Sequence, residues 1–140
     1  MSQPIVSGIG HVGIVVPDMD AARELYTKKL GVPTTEPVEL SGLSVKISFA
    51  ELPNAKIEII CPLNMECEHG QFLKEHPKGG IHHICFTTPD LKASTDALAN
   101  QGIETAMNDP LVLWNGDQVK FYNPDQTLGA LFELCEAAKQ

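Results

Sequence analysis

Positive charge is scarce in this sequence. Lys and Arg number 10 against 18 Asp and Glu, a formal net charge of −8. That balance excludes a general nucleic-acid binder, which works through basic patches that displace counterions. An anionic ligand is not excluded, because a local group of lysines and backbone N–H groups can outweigh the net charge. Long apolar runs are missing too: none approaches the roughly 20 residues that a membrane-spanning helix needs. The opening Met1-Ser2-Gln3-Pro4-Ile5-Val6 lacks the basic stretch and apolar core of a signal peptide. The cysteines, Cys61, Cys67, Cys85 and Cys135, form no CxxC pair. Cys61, Cys85 and Cys135 lie in apolar runs, where Cys behaves as a small hydrophobe, and nothing near Cys67 would activate it. The expectation is a cytoplasmic protein with reduced thiols, away from membranes and nucleic acid.

What remains is the composition of an ordinary globular chain. With 140 residues, 43% hydrophobic and 20% charged, a single compact domain is expected. Within it the sequence repeats once. His11-Val12-Gly13-Ile14-Val15-Val16-Pro17-Asp18-Met19-Asp20-Ala21-Ala22 aligns with His83-Ile84-Cys85-Phe86-Thr87-Thr88-Pro89-Asp90-Leu91-Lys92-Ala93-Ser94. A constant 72 residues separates His11 from His83, Pro17 from Pro89, Asp18 from Asp90 and Ala21 from Ala93. Four identities on one register mark a duplicated unit.

Each copy reads in the same order. A β-branched run (12–16, 84–88) predicts a strand. Pro-Asp ends it, with Asp18 or Asp90 placed to cap the helix that follows, over 20–30 and 91–101. Gly31 and Gly102 stand where a helix C-terminus favours glycine. Short strand candidates then follow in each copy, among them 44–51 and 56–61 in the first, 118–122 and 130–135 in the second. The turns Pro53-Asn54 and Asn123-Pro124-Asp125 separate them. The predicted fold is α+β: two tandem βαβββ modules, about 8–62 and 81–136, whose mixed sheets curve around a central site. The connection, about 63–80, carries a short helical stretch over 70–76.

The duplication also pairs chemistry. His11 and His83 open equivalent strands. Each module ends in an apolar strand interrupted by one acid, Ile57-Glu58-Ile59-Ile60 and Leu131-Phe132-Glu133-Leu134. A carboxylate inside an apolar strand is costly unless it is paired or bound to metal. Meeting that cost at equivalent places, with a histidine at equivalent places too, predicts one divalent ion held by His11, Glu58, His83 and Glu133. Two imidazoles and two carboxylates suit Co²⁺, Mn²⁺, Ni²⁺, Zn²⁺, Fe²⁺ or Mg²⁺, with open positions for water or substrate. The absence of thiols from this set disfavours a purely structural zinc site. His82 competes with His83, but only His83 shares the register of His11, so His82 is expected on the other face. His69 and His76, in the connection, are expected to be solvated.

These residues resemble the vicinal-oxygen-chelate superfamily of glyoxalases, bleomycin-resistance proteins and dioxygenases, and within it the methylmalonyl-CoA epimerases. The likeness runs from Gly10-His11-Val12-Gly13 to Phe132-Glu133-Leu134. It is most specific in Asn54-Ala55-Lys56-Ile57-Glu58-Ile59-Ile60-Cys61-Pro62-Leu63, Phe72-Leu73-Lys74-Glu75-His76 and Gly80-Ile81-His82-His83-Ile84. The resemblance implies the same four metal ligands, chains that commonly dimerise, and an isomerase that epimerises a 2-methyl-branched acyl-CoA. Its chemistry would be α-proton abstraction through a metal-stabilised enolate, with Glu133 both ligand and proton carrier. A separate glutamate found in some epimerases falls on Val45 here, so the second acid/base stays unassigned. Over residues 114–126 the family's Gly/His-rich approach and His-Pro-Lys turn are missing, with Asn115-Gly116 and Asn123-Pro124-Asp125 in that stretch, and contacts to CoA are expected to differ there. Three alternatives stay open: a glyoxalase I-like lyase acting on a thiol adduct, a ring-cleaving dioxygenase, and a non-catalytic drug- or metabolite-binding protein.

Overall fold

The computed structural model describes residues 5–138. The chain divides into two compact units, one spanning His11–His82, the other joining the residues up to Gly10 with those from His83 onward. The division cuts strands rather than loops, because residues 8–10 of β1 (Gly8–Val15) fall in one unit and residues 11–15 in the other.

In the first unit, β1 leads through Pro17-Asp18 into α1 (Met19–Glu24). The Asp18 carboxylate accepts from the Ala21 N–H at 3.1 Å, which satisfies one of the donors left over at the helix start. The expected helix over 20–30 does not stay α-helical. It loosens into a π-helix over Leu25–Lys29, where the Leu30 N–H reaches Leu25 O at 3.0 Å. Thr27 Oγ1 donates back to Arg23 O at 2.8 Å, a side-chain bond that competes with the helical ladder at that turn. Strands β2 (Val38–Leu40), β3 (Val45–Glu51) and β4 (Lys56–Pro62) follow, in the sheet order β2-β3-β4-β1. β4 is antiparallel to β3 and parallel to β1.

Both faces of this sheet are covered in part. Met19, Ala22 and Tyr26 pack on Ile14, Ala50, Ile57 and Ile59 on one face. Helix α2 (Glu68–Glu75), from the connection, sets Leu73 and Phe72 on Val15, Val45, Ile47 and Ile60 on the other. Each fully buried side chain of this kind contributes about 1.5–3 kcal/mol.

The second unit repeats the plan. After β5 (Gly80–Thr87), α3 (Leu91–Ala99) is capped by Asp90, which accepts from Ala93 N–H at 3.0 Å. Strands β6 (Leu111–Val112), β7 (Gln118–Tyr122) and β8 (Phe132–Glu136) complete a sheet in the order β5-β8-β7-β6. Leu91, Leu98, Phe86, Tyr122, Phe132 and Leu134 form its core on the helix side, joined by Val6 from the start of the chain. Each module is therefore βαβββ, and the fold class is the mixed α+β one expected. The short strands β2 and β6 are additions to the sequence reading, and Gly31 (φ 70°) and Gly102 (φ 85°) take the left-handed conformation that ends each helix. Among the described residues no helix is long and apolar enough to cross a membrane.

Candidate metal centre

Strand pairing sets the first of two His–Glu pairs. Along β1 and β4, His11 lies opposite Lys56 and Gly13 opposite Glu58. Alternate residues share a face, so His11 and Glu58 are diagonal neighbours on one side of the sheet. Their side chains meet, with His11 Nε2 3.6 Å from Glu58 Oε1 and side-chain exposures of 14% and 15%. Phe49, opposite Glu58 on β3, presents its ring to the His11 imidazole at 6.1 Å in an edge-on arrangement. Lys56 sits at the rim, its ammonium 5.5 Å over the Phe49 ring. Burial, helped by the charge of Lys56, lowers the His11 pKa to about 4. The imidazole is therefore neutral at ordinary pH, the form in which it offers a lone pair to a metal.

The second pair follows the same diagram. Cys85 lies opposite Glu133 across β5 and β8, and His83 stands two residues before Cys85 on the same face. His83 Nε2 is 3.5 Å from Glu133 Oε2, with side-chain exposures of only 3% and 6%. Phe121, opposite Glu133 on β7, lies edge-on to His83 at 6.3 Å. Burial pushes the Glu133 carboxyl up to about 7, against the opposing influence of a hydrogen bond from the Cys85 thiol. A carboxyl poised there exchanges protons near neutral pH.

Each histidine is thus found beside the glutamate of its own module. The donors are two imidazole nitrogens and two carboxylates in apolar surroundings, a set that suits a hard or borderline divalent ion. Phe49 and Phe121 were not anticipated, although 72 residues separate them, the same offset as the histidines.

Other expectations meet mixed outcomes. His82 does face away from this set, lying 3.8 Å from Glu68 Oε1 on α2, and burial and its neighbour His69 lower its pKa to about 4. His69 is not solvated: its ring packs 4.7 Å from that of His82, and its Nδ1 is buried without a hydrogen-bond partner. The connection folds onto β5 there, which spacing alone does not reveal. His76 is exposed, as expected, though its ring stacks on Phe72 at 4.4 Å. Val45 is sealed beneath α2 among Val15, Ile47 and Ile60. Glu51, opposite Lys56 at the far end of β3, shares the face of Glu58 but is exposed.

Comparison with known proteins adds a family context. Residues 10–121 match the model of the Glyoxalase/Bleomycin resistance protein/Dioxygenase superfamily. The ethylmalonyl-CoA/methylmalonyl-CoA epimerase of Cereibacter sphaeroides is 35% identical over 131 residues, which is 93% of this chain and 98% of that protein. The mitochondrial methylmalonyl-CoA epimerase of Homo sapiens is 32% identical over 129 residues, 92% of this chain and 73% of that one. Among solved structures, methylmalonyl-CoA epimerase from Mycobacterium tuberculosis superposes with a TM-score of 0.90 at 26% identity, covering 99% of this chain and 93% of that one.

Proposed function

Because the chain belongs to the glyoxalase, bleomycin-resistance protein and dioxygenase superfamily, we propose that it is a divalent-metal-dependent epimerase of methylmalonyl-CoA or a closely related 2-methyl-branched acyl-CoA. The observation that carries this reading is the repeated pair. A histidine and a glutamate meet at 3.6 Å in one module and at 3.5 Å in the other. Relatives named as epimerases of this substrate, 30–35% identical over most of the chain, supply the reaction.

In this proposal His11, Glu58, His83 and Glu133 together hold one ion. Such an ion, when bound, supplies Lewis-acid polarisation of a substrate carbonyl oxygen, so that an enolate forms at lower cost. The chain's own residues do the rest. The two imidazoles contribute neutral donors. Phe49 and Phe121 pack beside them and keep water from competing for the histidines and carboxylates. Glu133 takes the α-proton from one face of the substrate, leaving the enolate to be protonated from the other. A conjugate acid on the opposite face of the substrate completes epimerisation, and Val45, buried under α2, does not serve as it. The reading extends to a cytoplasmic homodimer.

The test follows α-proton exchange of methylmalonyl-CoA in D₂O by NMR. Protein stripped with chelator and reloaded with Co²⁺, Mn²⁺, Ni²⁺, Zn²⁺ or Mg²⁺ is compared with the stripped form and with Glu133→Gln. Exchange is expected with at least one ion, lost on stripping and reduced about 10²-fold or more by Glu133→Gln. Absence of exchange with every ion sinks the epimerase reading.

A further inference from the structure

The repeat exposes one difference between the two His–Glu pairs. The residue directly across from Glu58 is Gly13. Directly across from Glu133 it is Cys85. Both stand two residues after the histidine of their pair, 72 residues apart. A glycine offers its facing carboxylate no side chain, whereas a cysteine offers an S–H donor.

The surroundings of that thiol direct it. Cys85 is 1% exposed, and its Sγ lies within 4.8 Å of a Glu133 carboxylate oxygen, with a hydrogen bond joining the two side chains. On its other flank stands Gly10, where an added Cβ would lie 3.5 Å from Cys85 Sγ and 3.0 Å from Thr87 Cγ2. Cys135 is the neighbouring thiol on the same face, two residue pairs further along and opposite Thr87. Two other groups compete for the Cys85 proton: the Cys135 thiol, which also shares a side-chain hydrogen bond with Cys85, and Phe86 O at 3.8 Å, a long contact; both are neutral acceptors. An ionised carboxylate is the stronger acceptor.

We infer that Cys85 is a positioning residue: its thiol donates to Glu133 and holds that carboxylate turned with Oε2 toward His83. The terminal torsion of a glutamate is broad and unrestrained by its own rotamer wells. A group that must both ligate and carry a proton needs that torsion fixed. Across from Glu58 the strand supplies a glycine, and so no thiol. The repeat therefore built two like pairs, and one substitution made them chemically unequal. The inference rests on the epimerase reading, and its test separates the two.

Cys85→Ala and Cys85→Ser are compared with the parent in the full chain loaded with Co²⁺. Alanine removes the donor, serine keeps one. Loss of a group that orients a metal-bound carboxylate costs about 10-fold to 100-fold. The expected result is that Cys85→Ala lowers kcat for α-proton exchange by about that factor with little change in KM, and shifts the visible d–d absorption of bound Co²⁺. Cys85→Ser recovers most of the rate and the parent spectrum. If Cys85 only fills space, alanine is tolerated and serine, with its buried hydroxyl, is no better; that result overturns the inference. A thiolate-to-Co²⁺ charge-transfer band in the parent that disappears in Cys85→Ala also overturns it, because the sulfur would then be a ligand. Should Cys85→Ala fail to fold, the isosteric pair Cys85→Thr and Cys85→Val poses the same donor question at constant volume. A parent without exchange activity removes the epimerase reading alone, since the Co²⁺ spectra still decide the role of Cys85.

Discussion

At the scale of single residues, the two His–Glu pairs place two groups whose titrations oppose one another. His11 has its pKa lowered from 6.5 to about 4. Its contribution to stability is fully present above 6.5 and is lost as pH falls through about 4, because the unfolded chain takes up the proton first. Glu133 has its pKa raised from 4.5 to about 7. Its contribution is fully present below 4.5 and is lost as pH rises through about 7. Each amounts to roughly 3 kcal/mol, with opposite sign over nearly the same range. Metal-free protein is therefore expected to show a nearly flat stability between pH 4.5 and 6.5 as far as these two are concerned. His11→Gln removes a contribution that rises with pH, so its stability climbs less than the parent's, or falls, between pH 5 and 7. Glu133→Gln removes one that falls with pH, so its stability climbs more than the parent's, with buried His82 common to both. Urea denaturation of stripped protein at pH 5, 6 and 7 reads both slopes, and equal slopes in the two variants would refute the assignment. The four residues of the proposed centre stand out in the sequence because the repeat doubles each one, and a doubled His and Glu in apolar strands is rare by chance. Phe49 and Phe121 share the same offset but escaped notice, since phenylalanine in a strand is ordinary core. Cys85 escaped for the same reason: an apolar run describes a hydrophobe and hides a donor aimed at a carboxylate.

At the scale of elements, the Pro-Asp punctuation carries a measurable share of the helix energetics. Asp18 and Asp90 each accept a backbone N–H at the start of their helix, at 3.1 and 3.0 Å. Replacing either by alanine is expected to cost about 1 kcal/mol. The second helix has a further acceptor, Glu136, whose Oε1 takes the Leu91 N–H at 2.8 Å. Asp90→Ala combined with Glu136→Ala should therefore cost more than Asp90→Ala alone; at the first helix the equivalent N–H, of Met19, meets the Cys61 sulfur in place of a carboxylate. Chemical denaturation midpoints at constant m-value check this, and a double variant no less stable than Asp90→Ala would show that Glu136 contributes nothing to the cap. The strands β1, β3, β4, β5, β7 and β8 were readable because β-branched runs and turn residues bracket them. Strands β2 and β6, with three and two residues, are too short to show a period and exist through pairing with β3 and β7. The π-helix after α1 was equally hidden, because the apolar spacing of Leu25 and Leu30 does not tell a π turn from an α turn.

At the scale of the whole molecule, the proposal makes one ion the common property of two units that each contribute a histidine and a glutamate. A single centre has a stoichiometry: Co²⁺ titration should saturate at one ion per chain. Binding of that ion to the folded state alone raises stability by roughly 3 kcal/mol when free ion exceeds its Kd about 100-fold. The two pairs must also fail together. If both hold the same ion, His11→Gln and His83→Gln each weaken binding substantially, and the double variant costs less than the two single losses combined, because the second removal acts on a centre already broken. If each pair instead held its own ion, saturation would reach two equivalents and each single variant would leave the other site at full affinity. Calorimetric titration of the parent, the two single variants and the double variant distinguishes these outcomes without any measurement of turnover. Two equivalents in the parent would end the single-centre proposal even if the protein proved to be an epimerase.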